Sequence, residues 1–190
     1  LIARRLTLLD HPNERSSHVT PTPTLGGIGV ICGTWTDLVY AWYSFEAFAQ
    51  SVQQLLLPLA AATGVLAISV FDELRPFRVG EKLALQLITT AVALCSGLRL
   101  ELLSVPFLGD VAMPDWVAIM ATAAWLLLMT NICNFMDGID GLSVTQATSA
   151  GIWMAVFLYA IGSPLWPAPA IIAAAAIGFG VFNIPPARIF

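Results

Sequence analysis

Carboxylate and amide side chains interrupt an apolar run at residues 131–142, which makes this segment the strongest candidate for chemistry. Its polar members are Asn131, Asn134, Asp137 and Asp140. Burying such groups without partners in an apolar environment is costly. Carboxylate oxygens are ligands that Mg²⁺ prefers. Asp137 and Asp140 are three positions apart, so they share a face wherever the segment is helical.

Two glycines, Gly138 and Gly141, indicate that the helix breaks inside this segment. Glycine readily adopts conformations that end a helix, and a broken helix exposes backbone N–H groups. A bent turn would present the amides and carboxylates to a cation or a polar ligand. The alternative is a polar turn that only joins two helices.

A second acidic pair, Asp72 and Glu73, ends another apolar run, and three cations follow it: Arg75, Arg78 and Lys82. Adjacent carboxylates repel each other unless a cation or a proton lies between them. Carboxylates at a membrane edge are candidates for function, and these two suit a hard cation such as Mg²⁺. The alternative is a charged helix end at an interface.

The segment 10–27 combines possible phosphate ligands with a stiff backbone. Arg15 and His18 could bind phosphate, and Pro12, Pro21 and Pro23 favour an extended chain around them. A solvated loop is the alternative. At the other end of the chain, the segment 183–190 is too short to be informative by itself.

The elements that position these residues are predicted to be membrane helices. The chain of 190 residues is 58% hydrophobic and only 11% charged, so lipid must solvate much of its surface. Six apolar stretches each approach the roughly 20 residues that a helix needs to cross a bilayer. They are Leu25–Ser44, Gln53–Phe71, Leu83–Leu100, Trp116–Phe135, Leu142–Gly162 and Leu165–Ile184. We therefore expect an all-α, polytopic bundle of six transmembrane helices, with Pro106, Gly109 and Pro114 forming a hairpin or surface turn in 101–115.

Basic residues predict the orientation of this bundle. If 1–24 lies inside, seven of the eight basic residues fall in inner segments, and Arg99 alone lies outside. The inner ones are Arg4, Arg5, Arg15, Arg75, Arg78, Lys82 and Arg188. The candidate motifs then share the inner face. A net charge of −4 argues against a nucleic acid as the partner.

Together the motifs resemble one family, the polyprenyl-phosphate N-acetylhexosamine-1-phosphate transferases (glycosyltransferase family 4). The family's Asp-x-Pro-x-x-Arg-x-x-His-x-x-Pro-x-Pro-x-x-Gly-Gly begins at Asp10 and ends at Gly27. Its Asn-x-x-Asn-Phe-x-Asp-Gly-x-Asp-Gly-Leu corresponds to residues 131–142, and its Asn-x-x-Pro-Ala-x-x-Phe to residues 183–190. The details look more like enzymes that start O-antigen or similar polymers than like the peptidoglycan branch.

The resemblance implies transfer of an N-acetylhexosamine 1-phosphate from a UDP-sugar to undecaprenyl or another polyprenyl phosphate, with release of UMP. It implies Mg²⁺ (or Mn²⁺) as cofactor, a multi-pass protein of the bacterial cytoplasmic membrane with its active site towards the cytoplasm, and compatibility with a homodimer. The implied catalytic residues are Asp72, Glu73, Asp137 and Asp140, with Asp72, Asp137 and Asp140 as metal ligands. The implied substrate-binding residues are Arg15, His18, Lys82, Asn131, Asn134 and Arg188.

Two departures from the family pattern qualify these expectations. The family usually has Asp-Asp where this chain has Asp72-Glu73, which changes the reach of the second carboxylate. The chain also ends before the family's Gly-Asp-x-Gly-Ser motif. We therefore expect residues 1–190 to be a single membrane domain of a longer transferase, without an N-terminal span and the C-terminal part, and such a fragment could be inactive alone.

Other classes of protein fit the sequence less well. A CDP-alcohol phosphotransferase would need Asp-Gly-x-x-Ala-Arg, but Gly141-Leu142 stand where Ala-Arg should be. A transporter would place its polar groups near the middle of the membrane, and here they cluster at one face. A non-catalytic membrane scaffold is the remaining alternative.

Overall fold

The computed structural model of the chain describes residues 9–10, 21–24, 26–107, 109–136 and 139–189, without the side chains of residues 9, 10, 73 and 136. The structure is mostly helical. Its α-helices are α1 (Gly26–Ser44), α2 (Glu46–Ser51), α3 (Leu56–Leu74), α4 (Val79–Leu94), α5 (Asp115–Met136), α6 (Leu142–Ala160) and α7 (Pro167–Asn183). A 3₁₀ turn, Val52–Leu55, joins α2 to α3.

Each of the six apolar stretches forms one long helix. In the described structure, two helical segments are long and apolar enough to cross a membrane, Glu46–Asp72 and Asp115–Phe135. Pro167–Asn183 is a shorter apolar helix. The third stretch was misplaced: we predicted Leu83–Leu100, but α4 runs from Val79 to Leu94. The helix begins early because the Arg78 N–H donates to Glu81 Oε2 at 2.9 Å, and it gives way to a turn in which Gly97 has φ +83°.

Two small antiparallel sheets complete the described structure. Strands β1 (Leu9–Asp10) and β2 (Thr22–Pro23) pair ahead of α1. Strands β3 (Leu102–Val105) and β4 (Gly109–Ala112) pair in register from Leu102–Ala112 to Val105–Gly109. This second pair confirms the hairpin predicted in 101–115, because Pro106 and Gly109 flank its reversal.

The chain divides into two compact units. The first consists of Leu1–Gln53 and Phe135–Phe190, and the second of Gln54–Asn134. In the first unit α7 packs against both α6 and α1, and in the second α3 packs against α4. Small residues permit a close approach of α6 and α7, since a Cβ added at Gly151 would lie 2.8 Å from the carbonyl oxygen of Pro169.

Candidate active site

In the second unit, Asp72 lies in the last turn of α3 and makes two close contacts. Its Oδ2 pairs with Lys82 Nζ at 2.7 Å, and its Oδ1 accepts a hydrogen bond from the Phe77 N–H at 2.9 Å. The side chain of Asp72 is 27% exposed and that of Lys82 is 33% exposed. A substrate in solution can therefore still reach the pair. The short loop between α3 and α4 thus holds a carboxylate against an ammonium group.

One face of α4 carries a second polar contact in this unit. Gln86 follows Lys82 by one helical turn and is buried. Its Oε1 accepts a hydrogen bond at 3.0 Å from Nδ2 of Asn131 on α5. The same Nδ2 donates to the Leu127 carbonyl at 2.8 Å. Helix α4 therefore contacts both the acidic motif at Asp72 and the first amide of the 131–142 motif.

In the first unit, two turns are tied together by side chains. Gly141 precedes α6 with φ +75°, which confirms the predicted break of the helix at this position. The Gly141 N–H donates to Asn183 Oδ1 at 3.0 Å. Asp140 Oδ2 accepts a hydrogen bond from the Ala187 N–H at 3.0 Å. These bonds join the start of α6 to the turn after α7.

Asn183 also holds the turn after α7 in its own conformation. Its Nδ2 donates to the Ile189 carbonyl at 3.0 Å, and the Arg188 N–H donates to the Phe182 carbonyl at 2.8 Å. The packing leaves little room, since a Cβ at Gly141 would lie 3.5 Å from Cδ of Pro185. The result is a polar corner held by several hydrogen bonds, in which Arg188 is exposed.

The sequence-predicted site residues distribute between the two units. Asp72, Lys82, Asn131 and Asn134 belong to the second unit, and Asp140 and Arg188 to the first. Within the units, the structure pairs Asp72 with Lys82 and Asp140 with the turn that carries Arg188. Arg15, His18 and Asp137 lie outside the described residues, as does the side chain of Glu73.

Two residues that organise the site were not among the predicted site residues. Asn183 belongs to a motif that we quoted, but its role depends on a turn that sequence alone does not define. Gln86 is a single amide in the apolar stretch Leu83–Leu100. A buried amide in such a stretch needs a partner, and this need was the signal that could have identified it.

Each of the two units contains a carboxylate of the kind that can bind a magnesium ion. Mg²⁺ prefers carboxylate oxygens and keeps several waters, so one or two protein carboxylates can hold it. Asp140 and Asp72 are such donors, although each already accepts a hydrogen bond from a backbone N–H. In the part of the chain that the structure describes, no three Asp, Glu, His or Cys residues cluster as metal ligands.

The first unit also contains an open apolar cavity of about 700 Å³ between α1 and α7. Glycine and alanine make much of its wall, and Ile28, Phe179 and Ile189 contribute larger apolar surface. Thr24 lies in its lining as well. The lining therefore includes Thr24 of the first motif and Ile189 of the last motif.

Apolar helices with polar motifs at their ends define the broad class of this protein, a mostly helical protein with two helices suited to crossing a membrane. The chain belongs to glycosyl transferase family 4, whose family model matches residues 55–190.

Curated relatives carry names that agree with this family. A "Probable undecaprenyl-phosphate N-acetylglucosaminyl 1-phosphate transferase" of Bacillus subtilis (strain 168) is 26% identical over 194 residues, covering 100% of this chain and 51% of the relative. A "Decaprenyl-phosphate N-acetylglucosaminephosphotransferase" of Mycobacterium tuberculosis (strain ATCC 25618 / H37Rv) is 28% identical, covering 100% and 50%.

A relative with a different printed substrate also matches. The "Phospho-N-acetylmuramoyl-pentapeptide-transferase" of Desulfovibrio desulfuricans (strain ATCC 27774 / DSM 6949 / MB) is 23% identical over 206 residues, covering 89% of this chain and 54% of the relative. The chain thus spans about half the length of the curated relatives it matches.

Proposed function

We propose that the protein containing this chain transfers N-acetylhexosamine 1-phosphate from a UDP-sugar to a polyprenyl phosphate and releases UMP. The observation that carries this proposal is the family match over residues 55–190, which includes the two carboxylate motifs at Asp72 and Asp140. The names of the first two relatives make N-acetylglucosamine the first sugar to test.

A membrane location agrees with the exposed surface of the helices. Only 6% of the best apolar window in Glu46–Asp72 is buried, and only 11% in Asp115–Phe135. The core helix of a water-soluble protein would be mostly buried, so these helices expose the apolar surface that lipid would cover. We infer six membrane spans in the bacterial cytoplasmic membrane, α1, α3, α4, α5, α6 and α7.

The basic residues support an active site on the cytoplasmic side. Arg75, Arg78 and Lys82 lie at one end of the α3–α4 pair, and Arg99 lies at the other. Cytoplasmic loops of membrane proteins carry the excess of Lys and Arg. The same charges would attract the two anionic substrates.

The proposed reaction is a phosphoryl transfer between two anions. An oxygen of the polyprenyl phosphate attacks the β-phosphorus of the UDP-sugar, and the bond from that phosphorus to the bridging oxygen breaks. UMP leaves with the bridging oxygen, and the lipid becomes a diphosphate that carries the sugar. Catalysis of such a step consists mainly of alignment and charge neutralisation.

The chain offers a residue for each of these tasks. Asp72 would orient or deprotonate the lipid phosphate, with Glu73 beside it. Asn131 and Asn134 would bind the nucleotide side, and four cationic or basic side chains would bind phosphate groups. These four are Arg15, His18, Lys82 and Arg188.

Magnesium belongs to the same proposal. Asp137 and Asp140 would hold Mg²⁺, with Asp72 as a further carboxylate, and Mn²⁺ would be the natural substitute. The bound ion would neutralise charge on the diphosphate oxygens. Use of the product in O-antigen synthesis and assembly into a homodimer stay predictions.

Exchange of label between UMP and UDP-N-acetylglucosamine tests the proposal. Membranes from cells that express the complete gene are incubated with labelled UMP, polyprenyl-diphosphate-sugar and Mg²⁺, and labelled UDP-sugar is measured. We expect exchange that disappears in Asp72→Ala and persists in Asp110→Ala, a matched carboxylate change in the β3–β4 hairpin. Exchange that is absent from the wild type, or equal in both variants, would reject the proposal.

A further inference from the structure

Gln86 occupies an unusual position for a side-chain amide. It lies within α4, among apolar neighbours in sequence, and is only 7% exposed. The family match does not assign it a role. Burying an amide without a partner is costly, and the partner that the structure supplies is Asn131, a member of the 131–142 motif.

The geometry around Asn131 fixes how this residue can act. Its side-chain Nδ2 carries two hydrogens. One donates to Gln86 Oε1 at 3.0 Å and the other to the Leu127 carbonyl at 2.8 Å. Since both donors are engaged, Asn131 can offer only its carbonyl oxygen, Oδ1, to a ligand.

We propose that Gln86 is a positioning residue that turns Asn131 so that its carbonyl oxygen faces the substrate. The inference rests on the proposed function and deepens it, because it makes Asn131 an acceptor for an N–H group of the nucleotide sugar. Without the acceptor on Gln86, one amide hydrogen of Asn131 loses its partner, and only the bond to the Leu127 carbonyl still orients the amide.

Lys82 connects the helix that carries Gln86 to the acidic motif at Asp72. Lys82 and Gln86 are one turn apart on α4, so the helix that pairs with Asp72 also orients Asn131. Helix α4 thereby sets the distance between Asp72, a candidate catalytic carboxylate, and Asn131, a candidate nucleotide-binding residue. Both lie within the second unit.

The test is a comparison of Gln86→Met, which removes the acceptor, with Gln86→Glu, which keeps an acceptor oxygen. Loss of the hydrogen bond between Asn131 and the UDP-sugar corresponds to an increase in KM for the UDP-sugar of about 3- to 10-fold. We expect that increase in Gln86→Met with kcat nearly unchanged, and a KM within about twofold of wild type in Gln86→Glu. Thr90→Val, a buried polar change one turn further along α4, is the matched control and should leave KM unchanged.

A double variant separates positioning from a merely structural role. If Gln86 acts through Asn131, Gln86→Met adds nothing to the KM of Asn131→Ala. Independent, multiplicative effects of the two changes would overturn the inference. If Gln86→Met does not fold, Gln86→Glu decides alone, because a KM raised more than about fivefold despite the retained acceptor would also overturn it. Absence of UMP-forming activity in the wild type would instead reject the proposed function, and the inference with it.

Discussion

At the scale of single residues, Asn183 shows how one side chain can define a site. It is 4% exposed, and it uses both ends of its amide, accepting from Gly141 N–H and donating to the Ile189 carbonyl. An aspartate at this position would lack the donor, and a leucine would lack both groups. The polar corner that carries Asp140 and Arg188 depends on it.

Replacing Asn183 should therefore loosen this corner. Asn183→Ala leaves a buried N–H and a carbonyl without partners, and we expect it to destabilise the protein by about 2–4 kcal/mol. Asn134→Ala removes an exposed amide and should change stability by less than about 0.5 kcal/mol. Thermal unfolding in detergent measures both, and equal melting temperatures would contradict the role of Asn183.

The contacts of Asp72 lead to a prediction about its role in catalysis. Both carboxylate oxygens accept bonds, from Lys82 and from the Phe77 N–H. A lipid phosphate has a second pKa of about 6, so most of it needs no base at neutral pH. We expect Asp72→Asn to lower kcat by the same factor, about 10²-fold or more, at every pH between about 6.5 and 8.5. A loss that shrinks steadily as the pH rises would indicate a general base instead.

At the scale of helices and strands, much of the structure could be predicted from the pattern of apolar residues. The six long helices follow the six apolar stretches, and the hairpin follows Pro106 and Gly109. The ends of α4 could not be predicted in the same way, because the Arg78–Glu81 bond and the Gly97 turn determine them.

The site was less predictable than the helices. The motifs indicated which residue types could do chemistry, but not their partners. The pairing of Asp72 with Lys82 and of Gln86 with Asn131 depends on how helices pack, and a sequence pattern does not contain that packing. The same holds for Asn183. One of its two side-chain bonds joins it to Gly141, which is more than forty residues away in the sequence.

Close packing of α6 on α7 gives a prediction at this scale. A Cβ at Gly151 would lie 2.8 Å from the Pro169 carbonyl and 2.9 Å from the Ala173 Cβ. Gly151→Ala should therefore overpack the interface and cost about 1–3 kcal/mol. At Gly178 in α7, a Cβ would meet nothing within 4 Å.

Gly178→Ala is thus the matched control for Gly151→Ala. It should be neutral or stabilise the protein by up to about 1 kcal/mol, because alanine favours a helix more than glycine does. Thermal unfolding of the two variants side by side distinguishes them. Equal losses of stability would show that α6 and α7 are not packed as described.

At the scale of the whole molecule, the distribution of charge leads to a topology that can be measured. Asp110 lies in the β3–β4 hairpin and Arg78 in the loop before α4, and both are exposed. We expect them on opposite sides of the membrane, with Arg78 on the cytoplasmic side.

Labelling of single cysteines tests this topology. The native Cys32, Cys95 and Cys133 are replaced by serine, and Asp110→Cys or Arg78→Cys is introduced. In right-side-out membrane vesicles, a thiol reagent that cannot cross membranes should label Asp110→Cys only, and both variants after detergent is added. Labelling of Arg78→Cys in intact vesicles would contradict the proposed cytoplasmic site.

The chemistry itself is tested most directly with UDP-N-acetylglucosamine labelled on both the sugar and the β-phosphate. Membranes containing the protein are supplied with polyprenyl phosphate, and the lipid product is extracted and counted. Transfer of a sugar phosphate predicts both labels in the lipid in a one-to-one ratio, with UMP as the soluble product. Sugar label without β-phosphate label, accompanied by UDP, would contradict the proposed function.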